Sequence, residues 1–180
     1  RIAAAMEHGD IDVRCYVTQA WFNNLSGDYI WSIPLMVQRN VLVSTHAQPV
    51  QVSRLAPQTI GTALNYRYTS LDPLFASGQL TRDDARSEEQ VLYKLIAGRF
   101  QYAVSNEWIF DRFNQRMPTG RRLHKVAVIN EESLGCIVRN DPNIQPQRIL
   151  RTLLRMKMSG EIDDIIQRYT GERAANNPAR

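Results

Sequence analysis

The chain has 180 residues, 43% of them hydrophobic and 22% charged. That balance excludes a disordered tract and supplies enough apolar material for one sizeable core or two small lobes. Its 22 basic residues stand against 18 acidic ones for a net charge of +4. The basic residues are spread along the chain, and the densest set (Arg148, Arg151 and Arg155, with Arg121, Arg122 and Lys125 upstream) has no interleaved aromatics, so it reads as a solvated face and not as a nucleic-acid footprint. No run approaches the roughly 18 to 20 uninterrupted apolar residues that a membrane helix needs.

Residue 1 is Arg, and residues 1–8 read as a helix ending at Gly9, so the chain is expected to begin inside a structural element. Ile11, Val13, Cys15 and Val17 then alternate as a half-buried strand. Val41–Val43 reads as a strand, Pro49 to Pro57 as a connection, and Thr59–Leu64 as another strand with a turn or helix start at Asn65. Asp72 to Arg86, with Pro73, Gly78 and several Asp and Arg residues, reads as loop with one short helix.

The helix-to-strand pattern then recurs. Ser87-Glu-Glu-Gln90 is a capping box, Val91, Leu92, Leu95 and Ile96 form a helical stripe, Gly98 closes the helix, and Phe100–Val104 alternates as a strand. Val126–Ile129 and Gly135–Val138 read as two further strands, and Pro146 opens a helical region broken at Gly160. The tail from Ala174 reads as frayed. A helix feeding a strand is the half-unit of a parallel α/β sheet, and its repetition predicts two similar lobes. The expected division is 1–44 with 123–180 for lobe 1 and 45–122 for lobe 2, the chain crossing near residues 44 and 123.

Several segments in this order resemble the bacterial periplasmic solute-binding proteins of family 3. Gly9-Asp-Ile-Asp12 is similar to the family's G-x-I-D entry to a lobe 1 strand, and Trp31-Ser-Ile-Pro-Leu35 to its F-S-x-P-Y segment. Ile60-Gly-Thr-Ala-Leu-Asn-Tyr66 resembles V-G-V-x-x-G-S, Leu95 to Val104 resembles L-x-x-G-R-x-D-A-x-V, and Ser159 to Gly171 resembles x-G-x-I-x-x-I-x-x-K-Y-x-G. The resemblance covers nearly the whole chain. It implies an α/β, two-lobed periplasmic binding protein fold of type 2, with the opening strand and helix of lobe 1 upstream of Arg1.

Two departures bear on the ligand. Where family members that bind amino acids place a carboxylate-clamping Arg, this chain has Phe22-Asn-Asn-Leu-Ser26, and where they place an ammonium-binding Asp it has Ser105-Asn-Glu107, in which Glu107 could substitute.

In open α/β sheets ligands bind beyond the carboxyl ends of the strands. The expected ligand-binding residues are therefore Tyr16, Gln19 and Trp21 from lobe 1, and Asn65, Tyr66, Arg67, Tyr68, Ser105, Asn106 and Glu107 from lobe 2. Arg67, read at a helix start, would grip an anionic group or instead pair with Asp72 on the surface. Trp21 and Phe22 are readable as stacking faces or as core. Cys15 and Cys136 are readable as a disulfide or as two buried thiols, and the family's strand order, which sets their strands side by side, implies the bond. No Cys or His pair has metal-ligand spacing, and no cofactor motif occurs.

The resemblance implies a non-catalytic periplasmic receptor, monomeric, that closes on a small polar solute, anionic or amino-acid-like, for a membrane-embedded ABC permease, with no nucleic acid and no cofactor. A dehydratase-like enzyme on the same fold, or a ligand-sensing domain of a regulator or receptor kinase, remain the alternatives.

Overall fold

The computed structural model describes residues 5, 6, 8–22 and 27–170. Most of the helix expected over 1–8, residues 23–26 of the stretch after Trp21, and the tail from Ala174 lie outside the described residues. Contacts divide the chain into two compact units. The first holds the chain up to Val37 and Glu132–Arg168; the second holds Gln38–Glu131 and the chain from Tyr169. These divisions fall inside strands, whereas the sequence places the crossovers near residues 44 and 123, at strand ends. Periodicity marks where a strand is buried and carries no sign that one strand serves two units.

In the first unit β1 (Val13–Val17) and β2 (Tyr29–Trp31) both pair antiparallel with the C-terminal half of β7 (His124–Arg139). The parallel arrangement expected for the first helix-to-strand unit is therefore not what β1 adopts: that pattern fixes the element order and leaves the partner strand's direction open. Cys15 lies opposite Cys136 across the β1–β7 ladder, and the two form a disulfide. α4 (Pro146–Met158) and α5 (Glu161–Thr170) follow, separated at Gly160. Leu153 and Met156 of α4 and Ile162 and Ile166 of α5 pack with Leu35 and Cys136.

The second unit is a five-stranded sheet, in order β7-β3-β6-β4-β5, of which β3 (Met36–Ser44), β4 (Gln58–Ala63), β5 (Leu80–Ala85) and β6 (Tyr102–Asn106) are the remaining members. β4 runs parallel to both β5 and β6, and β3 runs antiparallel to β6. Both faces of the sheet are covered, and the period of two decides which residue serves which face. Val41, Val43 and Ala103 pack on one side with α2 (Glu88–Ile96) and α3 (Glu107–Gln115), while Leu42, Ile60, Val104 and Val126 pack on the other with Tyr68 and Leu71.

The chain starts α2 as the sequence predicts: the Ser87 hydroxyl accepts from Gln90 N–H at 3.3 Å, and Gln90 Oε1 accepts from Arg86 N–H at 3.2 Å. Gly98, at φ 75°, ends it in the left-handed conformation that its missing Cβ makes accessible.

Two expectations are corrected. The segment 72–86 holds α1 (Asp72–Ala76) and a full strand, β5. The strands expected at 126–129 and 135–138 are one strand of 16 residues. Of the two readings at Asn65, a turn or a helix start, the structure adopts the turn: Asn65 has a φ of 65°, and the next helix begins at Asp72.

Candidate functional site

In the second unit the parallel strands β4, β5 and β6 end on one edge, and the segments leaving them are 64–71, 86–88 and 106–108. Tyr68 folds back beneath this edge: it is buried, and its hydroxyl oxygen accepts from Ala63 N–H at 3.2 Å. Tyr66 lies beside it, ring centroids 6.4 Å apart and planes at 30°, but is half exposed. Burial pushes both phenols above their ordinary titration range.

The guanidinium built into this edge belongs to Arg82 of β5, not to Arg67. Arg82 donates to the carbonyls of Ala63 (2.9 Å) and Tyr66 (3.0 Å), pairs with Asp84 at 2.8 Å, and lies 5.5 Å from the Tyr68 ring centroid. Arg67 points away, its side chain 75% exposed and in contact with Asp72 at 3.4 Å. Because α1 begins only at Asp72, Arg67 has no helix start to share in holding an anion. The surface-pair reading of Arg67 is the one the structure adopts. Asn65 supplies the turn that presents the two tyrosines.

At the end of β6, Ser105 and Asn106 are buried and converge on a carboxylate that the sequence did not single out, that of Glu88. Glu88 Oε2 accepts from the Ser105 hydroxyl at 2.8 Å and from Asn106 N–H at 2.6 Å. The Asn106 side chain caps α3 by accepting from Trp108 N–H at 2.9 Å. Burial raises the Glu88 carboxyl above the usual carboxylate range, against the opposing pull of its bonds from Asn106 and Ser105. Its charge also bears on Tyr66 and Tyr68. The capping box did mark Glu88, but an acidic residue in a first helical turn already has an explanation in the helix dipole, so its role at the strand edge was hidden.

Glu107 has other partners. Its carboxylate pairs with Lys125 and, at 3.4 Å, with Arg39, which in turn pairs with Glu131 at 2.6 Å. Those contacts tie α3 to β3 and β7 and take Glu107 out of the set around Glu88.

In the first unit Tyr16 sits at φ 63° where the β1–β7 register shifts between Cys15 and Val17. A bulky side chain in the left-handed region stores strain, and here it accompanies a bulge that re-aims the ring. The ring reaches Trp21, centroids 6.1 Å apart, across the 3-10 turn Gln19–Trp21. Tyr16 and Trp21 are both exposed, whereas Phe22 is partly buried, edge-on to Trp31 and against the cluster of Met6, Val17 and Ile137. A separate cavity of about 410 Å³, lined among others by His8, Asp28, Tyr29 and Arg139, contains none of the expected site residues. Among the described residues no group of three or more His, Cys, Asp or Glu is placed to hold a metal ion, and no helix is long and apolar enough to cross a membrane.

No family model and no curated protein matches the sequence. Solved structures do match. A mutant of ArgBP from T. maritima gives a TM-score of 0.68 at 18% identity, covering 95% of this chain and 74% of that one. The amino acid ABC transporter substrate-binding protein AbpA from Streptococcus pneumoniae, bound to L-arginine, gives 0.67 at 16%, covering 93% and 71%. The B. pertussis BvgS periplasmic domain gives 0.67 at 22%, covering 98% of this chain and 35% of that one. At these identities the likeness shows the fold, which is the α/β periplasmic binding protein fold.

Proposed function

We propose that this protein is a periplasmic solute-binding receptor that captures a small polar, amino-acid-like solute and presents it unchanged to a membrane-embedded ABC permease. The observation that carries the reading is the edge where β4, β5 and β6 end together, with Tyr66, Tyr68, Ser105, Asn106 and the buried Glu88 converging on it. Ligands of open α/β sheets bind at such an edge, and a few convergent polar groups among aromatics are what a small polar solute requires. The fold supports the same reading, since AbpA, described as a transporter's substrate-binding protein, shares it. A monomer is sufficient for this role.

The experiment is calorimetric titration with amino acids and other small polar solutes, followed by mass spectrometry of the bound compound. Saturable binding with intact solute recovered supports a receptor. Recovery of a converted product assigns the site to an enzyme.

A second reading has its own observation. Nearly all of this chain maps onto 35% of the BvgS periplasmic domain, so the same fold also occurs as part of a longer domain. In that case the unit senses its solute instead of delivering it. Deleting the gene and following uptake of the identified solute separates the two: unchanged uptake with a lost cellular response to the solute supports sensing.

A further inference from the structure

We propose that α4 and α5 of the first unit form a face through which two copies of this chain pair. The pairing is independent of the receptor reading, for which one copy is enough.

α4 is rich in apolar residues and poorly covered. It carries Ile149, Leu150, Leu153, Leu154, Met156 and Met158, yet none of its residues is fully buried. The shorter α2 buries Val91, Leu92 and Leu95 almost completely. Leu, Ile and Met are among the residues most often found inside, so a helix that carries six of them and buries none has a face still to be covered. Leu153 and Met156 reach the cluster of Leu35, Cys136 and Ile162, whereas Leu154 is 39% and Met158 80% exposed. On α5, Ile162 and Ile166 pack in that same cluster, and Ile165 is 44% exposed.

Charge decides what can cover these side chains. Arg148, Arg151 and Arg155 are exposed beside Leu154 and Met158 on one face of α4, and α4 has no acidic residue. The outward stripe of α5, Glu161, Asp164, Ile165 and Arg168, begins with two exposed acids. Lys157 and Asp163 pair between the two helices at 3.0 Å. Among the described residues, Arg148, Arg151, Arg155, Glu161 and Asp164 take part in no ion pair. Solvation accounts for free charge alone, but not for free charge of both signs set beside uncovered apolar side chains.

A second copy supplies the complement. In a two-fold pair the same face serves both partners, so α4 of each copy meets α5 of the other. Leu154 and Met158 cover Ile165 across the axis, and Arg151 and Arg155 meet Glu161 and Asp164. α4 is about 20 Å long and packed helices lie about 10 Å apart, so the face is small and the pair belongs with weak, salt-sensitive associations. An anionic membrane surface fits less well, because it repels the acids of α5.

The test is sedimentation equilibrium of the whole chain at up to about 1 mM protein. The mass is expected to rise from 20.7 kDa toward twice that value. Raising salt from about 0.01 M to about 1 M, which shortens the Debye length from about 30 Å to about 3 Å, is expected to weaken the pair at least tenfold. Two charge-reversed chains sharpen the result: Arg151→Glu with Arg155→Glu, and Glu161→Arg with Asp164→Arg. All four side chains are exposed, so each variant is expected to stay folded by circular dichroism and to be monomeric alone. Mixed in equal amounts, the two are expected to pair, because each reversed face then meets its opposite.

A wild-type mass of 20.7 kDa at every concentration in low salt would overturn the proposal, and capture of that monomer by phosphatidylglycerol vesicles would give the face to a membrane instead. Association undiminished in either reversed chain, or a mixture of the two folded variants that stays monomeric, would overturn it as well.

Discussion

In the second unit the sheet is covered on both sides. Val41, Val43, Leu92, Leu95 and Phe113 fill one cluster, and Leu42, Ile60, Leu71, Leu80 and Val104 the other. The first unit is built differently: its described clusters centre on Met6, Val17 and Ile137 and on Leu35, Cys136 and Ile162, and α4 has no fully buried residue. Where apolar burial is extensive, no covalent link is present among the described residues; where it is thinner, a disulfide joins β1 to β7. The same chain thus holds one unit by area removed from water and the other partly by restricting its unfolded state.

The disulfide gives the largest expected effect. Replacing Cys15 and Cys136 by Ser opens a link between residues 121 apart in sequence and should cost about 2 to 5 kcal/mol in urea unfolding. Hydrogen exchange should show β1 and β2 opening first while β4 and β6 keep their protection. Two reactive thiols in the denatured, unreduced wild-type protein would break the comparison at its root.

Next comes Gly61→Ala, which strikes the other unit. A Cβ on Gly61 would overlap the Phe100 ring and press on Val91 Cγ1, both in the α2-side core. Overpacking of this kind costs about 1 to 3 kcal/mol. Here the early exchange should appear in β4 and β6, with β1 spared, so the two variants together test whether the units unfold separately.

Two carboxylates of the second unit should give it opposing pH responses. Glu88 is raised by burial, so the folded state holds that proton more tightly than the unfolded chain does. Its favourable contribution is complete below the ordinary carboxylate range and is lost as pH rises through the raised value. Asp83 is held low, chiefly by its bonds from Arg99 and Lys94; its contribution is present above the ordinary range and lost as pH falls through the lowered value. Urea midpoints across pH should lose the alkaline-side decline in Glu88→Gln and the acid-side decline in Asp83→Asn. Parallel curves for all three proteins would deny both shifts.

What the sequence disclosed follows from how each element is buried. Apolar alternation located the centre of β3, β4 and most of β6, and the helical stripes located α2, α4 and α5, because each of those faces a core; the same alternation located β1, although only Val17 of it is buried. β5 escaped because Leu80-Thr-Arg-Asp-Asp-Ala85 is polar between its ends. As an edge strand it pairs only with β4, and its polar side chains bond sideways: Thr81 to Thr59 at 2.7 Å, Asp84 to Thr62 at 2.6 Å. β7 was split by the polar run Asn130 to Ser133, through which the strand continues.

Of the site, the tyrosines of 66 and 68 and the β6 end were visible as segments leaving strands. Glu88 was not, because its burial is set by Ser105 and Asn106, 17 and 18 residues away.

The smallest effect should belong to the residue that the sequence weighed most heavily for the ligand. Arg67 keeps a long side chain 75% exposed for one contact of 3.4 Å with Asp72, itself 45% exposed. An ion pair in water gains little Coulomb energy, and holding two flexible chains in one geometry costs about as much, so such pairs contribute roughly 0 to 1 kcal/mol. Arg82 provides the internal control: its guanidinium spans two backbone carbonyls, a carboxylate and two aromatic rings. Arg67→Ala should therefore shift the urea midpoint by less than about 1 kcal/mol, with solute affinity unchanged, while Arg82→Ala should destabilise the protein several-fold more. A tenfold loss of affinity in Arg67→Ala with the midpoint intact would return the anion to Arg67 and count against a site organised around Glu88.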